Sequence, residues 1–574
     1  LIAKREERKL LNPVRKATDL FSRYPALLPF FIFLLGTFTI LYHLGTPGLF
    51  ETSEGRYASI ARAMLDSGDW LVPVNNGLKH LTKPPLTYWL SAMGMNFFGI
   101  NEFGARFFLA LAAGLTALGT YLIGKALIDK VAGLIASLVL ICSLFFQVQF
   151  KGLTTDPFLA MFETFMVLGF IRFMQTRGSR LNRRWLIFFW FMAAFAMLTK
   201  GPPGLIPLAG LIPACLLSGK KQQLKTLLSS VVGWVIFTIV GLGWYLLLAI
   251  KIPGLLSYFL IDETLKRVAS NAHHRANPFY MFIVLLPVGI FPWTSFFIRG
   301  LSMTVKSCKQ SFVSAILSFW LLIPLLIFTL SKSKLAAYVL PLLVPVAIIA
   351  ALAVHELTGP QKKDTSQVLG FHFKLNAALV VLLGTTMLAY GLSGDLHAKV
   401  LNSSLIFVGV FWMLLGTFVW LQHHFGNRML PFALLCFVAP GLIFFSIPGI
   451  RGNEQLQSGK FLPSQWRLLK RLGNLPPEQK FININQMIEG WYFYTGRVPI
   501  TYNVSRVTRF DQEKAKKLVL NSPEELNKAI DNNTMLVLKA KHLARTSEIL
   551  DYNLRTIASE GAWLIAAPER RMRR

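Results

Sequence analysis

Apolar runs near the ~20 residues that cross a bilayer recur along this 574-residue chain from residue 25 to residue 448 and then stop. They predict about thirteen membrane helices, at 25–46, 104–124, 131–149, 157–175, 185–199, 203–218, 228–250, 279–298, 312–331, 336–354, 376–392, 405–421 and 430–448. The fifth and sixth runs are short and joined tightly by Gly201-Pro202-Pro203-Gly204. Two polar stretches depart from this pattern. One is the loop 47–103, which carries carboxylates, cations and aromatics where a few residues would suffice to join two spans. The other is the tail 451–574. Its KFININ, VPITYN, TMLVLKAK and AWLIAAP segments have strand composition, and PSQWRLLKRL and SPEELNKAI read as helices. The predicted fold is therefore a polytopic α-helical membrane domain (25–450) behind a basic leader (1–24), followed by a small α/β domain (451–574).

Composition agrees with a membrane protein. The chain is 53% hydrophobic and 15% charged, with a mean hydropathy of +0.50, whereas soluble proteins carry roughly a quarter charged residues. Its net charge of +31 fits the positive-inside bias and contact with anionic membrane lipids, and also fits binding of phosphorylated lipids. No basic segment with interleaved aromatics lies outside the membrane part, which argues against nucleic acid as a partner. Cys142, Cys215 and Cys436 fall in apolar runs and Cys308 in a short loop, so the cysteine-free tail offers neither a disulfide framework nor a thiolate metal site.

Sidedness decides which polar groups can meet. The basic N-terminus precedes an apolar run without a small-residue cleavage site and reads as a cytoplasmic lead into an uncleaved span. The alternate loops bearing Arg177, Arg180, Arg183 and Arg184, then Lys220, Lys221 and Lys225, then Lys362 and Lys363, are then cytoplasmic. The opposite face receives Glu54, Arg56, Lys83, Asp156, Lys200, His273, His274, Arg275, Lys332, Lys334 and the tail. Cations on that face run against the usual bias, and bound phosphate is the simplest reason for them.

Each motif has a plainer alternative. In Glu51-Thr52-Ser53-Glu54-Gly55-Arg56-Tyr57, helical potential begins at Ser53, and Glu51 and Glu54 fall one turn apart. This is either a carboxylate that orients or deprotonates an acceptor, or a solvated interfacial helix with an ordinary Glu–Arg pair. Lys83-Pro84-Pro85 holds an ammonium on a stiff backbone, for phosphate or for lipid headgroups. Asp156-Pro157 is a helix-start signal, with Asp156 as cap. His273-His274-Arg275 is no ready-made metal pair, since adjacent residues do not share a helix face; a phosphate contact, a divalent metal shared with a distant carboxylate, and plain surface histidines all stay open. Ser331-Lys332-Ser333-Lys334 with Tyr338 makes an anion site at a span's outer end, and Leu198-Thr199-Lys200-Gly201 repeats that chemistry. The tail carries no nucleotide-binding glycine fingerprint or Walker sequence, which disfavours a nucleotide-activated donor.

The ordered set SEGRYA, TKPP, TTDP, LTKG and SKLAAYVLP resembles the GT-C membrane glycosyltransferases, closest to the lipid A aminoarabinose transferases and the related protein O-mannosyltransferase-like enzymes. The resemblance covers nearly the whole chain. It implies transfer of a sugar, 4-amino-4-deoxy-L-arabinose in that branch, from a polyprenyl phosphate carrier to lipid A at the periplasmic face of the bacterial inner membrane, a change that weakens binding of polymyxin-like peptides. By position, Glu54, Arg56 and Tyr57 match the first motif, Lys83 the second, Tyr338 the tyrosine after the serine–lysine motif, and His273–Arg275 the outer-loop histidine region. Two acids of the family pattern are replaced here, by Ser53 and Thr82. Those changes shift the acid/base role to Glu54, with Asp156 behind it, and leave Arg56, Tyr57, Lys83, Lys200, Arg275, Lys332, Lys334 and Tyr338 as the donor-phosphate set. A related enzyme moving a lipid-linked hexose to protein or another glycan is the alternative. A lipid or solute transporter would show midplane charges and inverted repeats, whereas charges here fall mostly in loops.

Overall fold

Long apolar helices dominate the computed structural model, which describes residues 24–176, 180–259, 261, 277–358, 365–393, 399–422, 430–452, 458–471, 479–506, 509–550, 552–560 and 562–570. Among the described residues, nine helices are long and apolar enough to cross a membrane, from Glu102–Leu127 to Leu430–Ile447. Three shorter apolar helices, Leu27–Leu41, Lys130–Ile141 and Pro202–Leu217, fall where further spans are predicted. Two predicted spans are broken. The run 131–149 divides into Lys130–Ile141 and Leu144–Gln149. The run 279–298 divides into Met281–Gly289 and Thr294–Lys306, bent by 116° at a break containing Pro292, which supplies no backbone donor to continue the helix.

The helices that carry the site are α1 (Leu27–Leu41), α2 (Ser53–Ser67), α3 (Leu86–Phe98), α4 (Glu102–Leu127), α5 (Lys130–Ile141), α6 (Leu144–Gln149), α7 (Asp156–Gln175) and α8 (Arg180–Lys200). α1 packs along α4, and α8 along α7. Gly36 and Gly114 let the first pair approach so closely that a Cβ on Gly114 would sit 2.5 Å from the Phe33 carbonyl; small residues serve this purpose in lipid-facing helix pairs. Between α2 and α3 the chain makes a hairpin of β1 (Val74–Asn75) and β2 (Leu78–Lys79), turned by Asn76 and Gly77 at φ 46° and 86°.

The tail forms one six-stranded sheet with order β5-β4-β3-β6-β8-β7, made of β3 (Lys480–Ile484), β4 (Ile500–Tyr502), β5 (Val519–Leu520), β6 (Thr534–Lys539), β7 (Tyr552–Glu560) and β8 (Trp563–Arg570). β5, β4, β3 and β6 run parallel, and β8 and β7 close the far edge antiparallel. The central β6 is buried on both faces: Leu536 and Leu538 face one core, Met535 and Val537 the other. All four strands expected from composition are present. β5 is only two residues long, and β7 is a polar edge strand, so neither carries a strong apolar signal. Of the two expected helices, Phe461–Arg471 and Pro523–Ala529 form, the second opened by a capping box of Ser522 and Glu525.

Candidate active site

Thr82, Lys83, Lys200, Ser331, Ser333 and Tyr338 reach one cavity of about 290 Å3 from three separate stretches of chain. Its remaining wall is apolar and includes Ile206, Phe259, Ile327 and Phe328, with Tyr245 and the Gly201-Pro202-Pro203 turn. The result is an amphipathic cleft, with two ammonium groups beside hydrocarbon. Gly201 turns the chain out of α8 at φ +78°, a backbone region that only glycine adopts without strain, and this leaves Lys200 at the cavity edge. Lys200 hydrogen-bonds Asp156, both side chains being nearly buried, and its Nζ lies 4.4 Å from the centre of the Tyr338 ring. Lys83 is held by Pro84 and Pro85, which lead into α3.

Behind Lys83, Thr82 Oγ1 lies 2.8 Å from His80 Nε2. Burial pushes the His80 imidazole down to about 3, and Arg56, Lys83 and Arg506 add to the effect, so the ring is neutral at physiological pH. One hydroxyl and one imidazole are too few donors to hold a divalent cation by themselves, and among the described residues no three His, Cys, Asp or Glu side chains gather as a metal site. His273, His274 and Arg275 lie outside the described residues.

Several of the expected site residues sit elsewhere. Glu54 does not line the cavity. Its carboxylate accepts from Arg106 Nη2 at 2.6 Å and Nε at 2.9 Å, and from the backbone N–H groups of Phe50 and Leu153. Arg106 also donates to the carbonyls of Leu44, Pro47 and Gly48, so this ion pair ties the end of α1, the start of α2 and the α6–α7 connection to α4. With every oxygen engaged and 4% exposure, Glu54 is positioned as a strut, not as a base. Arg106 itself escaped the sequence reading, although a lone cation inside an apolar run signals a buried partner.

Glu51 and Glu54 do not share a face. Glu51 lies ahead of α2 and accepts from the N–H groups of Glu489 and Gly490 at 2.8 and 2.7 Å. Arg56 meets Glu489 of the tail at 3.3 Å and is not part of the cavity wall, while Tyr57 packs on Tyr88 with ring centres 5.4 Å apart. Lys332 is exposed, and Lys334 turns back to donate to the Ser331 carbonyl at 2.5 Å. Asp156 is not the cap of α7: Thr155 holds that position, and Asp156 turns to Lys200 instead. Lys83, Lys200 and Tyr338 do come together, and Tyr245 and Phe259, which the motifs did not include, join them.

ArnT from Cupriavidus metallidurans, solved bound to undecaprenyl phosphate, has the same fold: TM-score 0.79 at 21% identity, over 94% of this chain and 97% of that one. Its apo structure gives 0.77 over 96% of this chain and 98% of that one at 19% identity. The chain therefore has the fold of a GT-C membrane glycosyltransferase. Residues 82–245 match the family described as dolichyl-phosphate-mannose-protein mannosyltransferase. The undecaprenyl phosphate-alpha-4-amino-4-deoxy-L-arabinose arabinosyl transferase 2 of Pseudomonas fluorescens (strain Pf0-1) is 29% identical over 419 residues, 71% of this chain and 73% of that protein. The corresponding transferase of Edwardsiella ictaluri (strain 93-146) is 30% identical over 342 residues, 58% of this chain and 60% of that protein.

Proposed function

We propose that this protein transfers 4-amino-4-deoxy-L-arabinose from a polyprenyl phosphate carrier to lipid A, at the periplasmic face of the bacterial inner membrane. The observation that carries the reading is the amphipathic cleft: Lys83 and Lys200 stand beside an apolar wall of Ile206, Ile327 and Phe328, which suits a phosphate attached to an isoprenoid chain. The names of the relatives supply the sugar and the carrier.

In this reading the two ammonium groups hold the donor phosphate, and Tyr338 and Asp156 hold Lys200 in place. An acceptor oxygen bonds to the anomeric carbon from the side opposite the carrier. The sugar–phosphate C–O bond breaks, and the carrier phosphate leaves with the electron pair, its growing charge met by Lys83 and Lys200. An ionised phosphate acceptor needs no base. That is consistent with Glu54 being tied to Arg106 and Asp156 to Lys200.

The test is reconstitution of the purified protein with polyprenyl-phosphate aminoarabinose and lipid A, followed by mass spectrometry of the lipid. Addition of one aminoarabinose per modified phosphate supports the reading, and lipid A unchanged in the presence of intact donor overturns it. The match of residues 82–245 to the mannosyltransferase family favours a second reading, transfer of a lipid-linked hexose to protein; a hexose-modified polypeptide in the same assay would establish it.

A further inference from the structure

A second group of cations surrounds His80, which follows the hairpin β1–β2 and touches the cavity through Thr82. Thr82 belongs to the cavity wall and touches His80, and Arg56, Lys83 and Arg506 all act electrostatically on that buried ring. Arg506 comes from the tail. Its Nη2 donates to the carbonyls of Asn75 and Asn76 at 2.8 and 3.0 Å, which fixes the guanidinium over the hairpin turn. Its Nη1 is buried and has no hydrogen-bond partner among the described residues. A buried guanidinium nitrogen without an acceptor is costly unless a ligand supplies one.

Glu489 is the carboxylate that meets this group. It takes Arg56 Nε at 3.3 Å and Asn75 Nδ2 at 2.8 Å. Burial pulls the Arg506 guanidinium down, with Glu489 as the charge that offsets it. Among the described residues Glu489 offsets Arg56 and Arg506 together, and the Arg506 Nη1 donors are left without an acceptor. A planar guanidinium with an open donor suits an oxyanion such as a phosphate better than a sugar hydroxyl.

We propose that Arg506 and Arg56 form an anion subsite, built jointly by the tail domain and the outer loop, that takes the phosphate of the acceptor headgroup on the far side of Lys83 from the carrier. This rests on the transferase reading above and adds the acceptor's place to it. Lys83 then lies between two phosphates, the leaving one in the cleft and the attacking one under Arg506. One acceptor phosphate oxygen forms the new bond to the anomeric carbon as the carrier phosphate departs with its electron pair, and no proton has to move. The tail is thereby part of the acceptor site, which gives its extensive docking on α2 and the hairpin a purpose in recognition.

The experiment uses the full-length protein in proteoliposomes, with Arg506→Gln and Arg506→Lys, and protease resistance of the tail as the control for docking. Arg506→Gln is expected to raise the acceptor KM about tenfold, the weight of one charged hydrogen bond. It should leave the affinity for the polyprenyl phosphate donor unchanged, and Arg506→Lys should recover part of the loss. Inorganic phosphate should compete with the lipid acceptor in the wild type, which needs no variant to fold. A direct binding measurement with lipid A and with dephosphorylated lipid A separates the lipid headgroup from free phosphate as the ligand, and it reads the subsite without turnover. Preference of the wild type for the phosphorylated lipid, weakened in Arg506→Gln, supports the subsite even if no sugar is transferred, an outcome that would sink only the transferase reading. An unchanged acceptor KM and unchanged lipid binding in a docked Arg506→Gln protein would overturn it, as would a loss confined to donor binding.

Discussion

At the scale of single residues, charge pairs divide the labour that the motifs leave undivided. Glu54 and Arg106 form a buried, multiply hydrogen-bonded pair. Removing one partner of such a pair leaves an uncompensated charge and costs about 3–5 kcal/mol. Glu54→Gln is therefore expected to lower the thermal unfolding midpoint in detergent and the folded yield, while turnover per folded molecule persists. Unaltered stability with lost turnover would return Glu54 to the chemistry. Lys83→Ala is expected to do the reverse, cutting transfer by about 100-fold or more, as for the loss of one transition-state donor, with unfolding unchanged. Both groups lie in motifs that read as catalytic. Which one is structural depends on a guanidinium 52 residues away, inside the next apolar run.

At the scale of elements, α2 is the surface on which the tail is seated. Ser59 Oγ donates to the Glu489 carbonyl, Arg62 to the carbonyls of Tyr492 and Phe493, and Tyr492 OH to Asp66. Tyr494 OH accepts from the N–H of Leu49, and Lys79 pairs with Asp511. Gly55 allows the closest approach: a Cβ there would meet the Gly490 nitrogen at 2.6 Å. Backbone cannot give way as a flexible side chain can, so Gly55→Ala is expected to lift the tail from α2 and expose it to limited proteolysis. Gly68→Ala is the control. Among the described residues nothing lies within 4 Å of a Cβ at that position, and its φ of 71° costs about 1 kcal/mol in a non-glycine residue.

At the scale of the whole molecule, Glu51 couples the seating of the tail to pH. Burial pushes its carboxyl from 4.5 up to about 7, with Glu489 adding to the rise and the N–H groups of Gly490 and Glu489 opposing it. A carboxyl raised on docking favours the docked state most when it is protonated. That contribution is complete below about 4.5 and is lost as pH rises through about 7. Hydrogen exchange of the 489–495 amides, corrected for intrinsic rates, is expected to show weaker protection at pH 8 than at pH 5, and Glu51→Gln is expected to flatten the difference. If the acceptor phosphate is bound by Arg506, acceptor affinity should follow the same pH trend, because the seated tail delivers that residue.

The apolar periodicity by itself determined the run of spans, because hydrophobic length is a local property that the bilayer reads directly. Strand composition likewise determined the main strands of the tail, and TKPP and LTKG carry the cations, and SKLAAYVLP the tyrosine, that reach one cleft. The tertiary structure decided which charges are paired. Lys200 faces Asp156 across 44 residues, and Arg56 faces Glu489 across 433. Whether a carboxylate acts as base, strut or pH-sensitive latch depends on desolvation and on the donors around it, and those are set by residues distant in the chain. No spacing rule within a motif contains that information, so Glu54 and Glu51 look alike in sequence and differ in the fold.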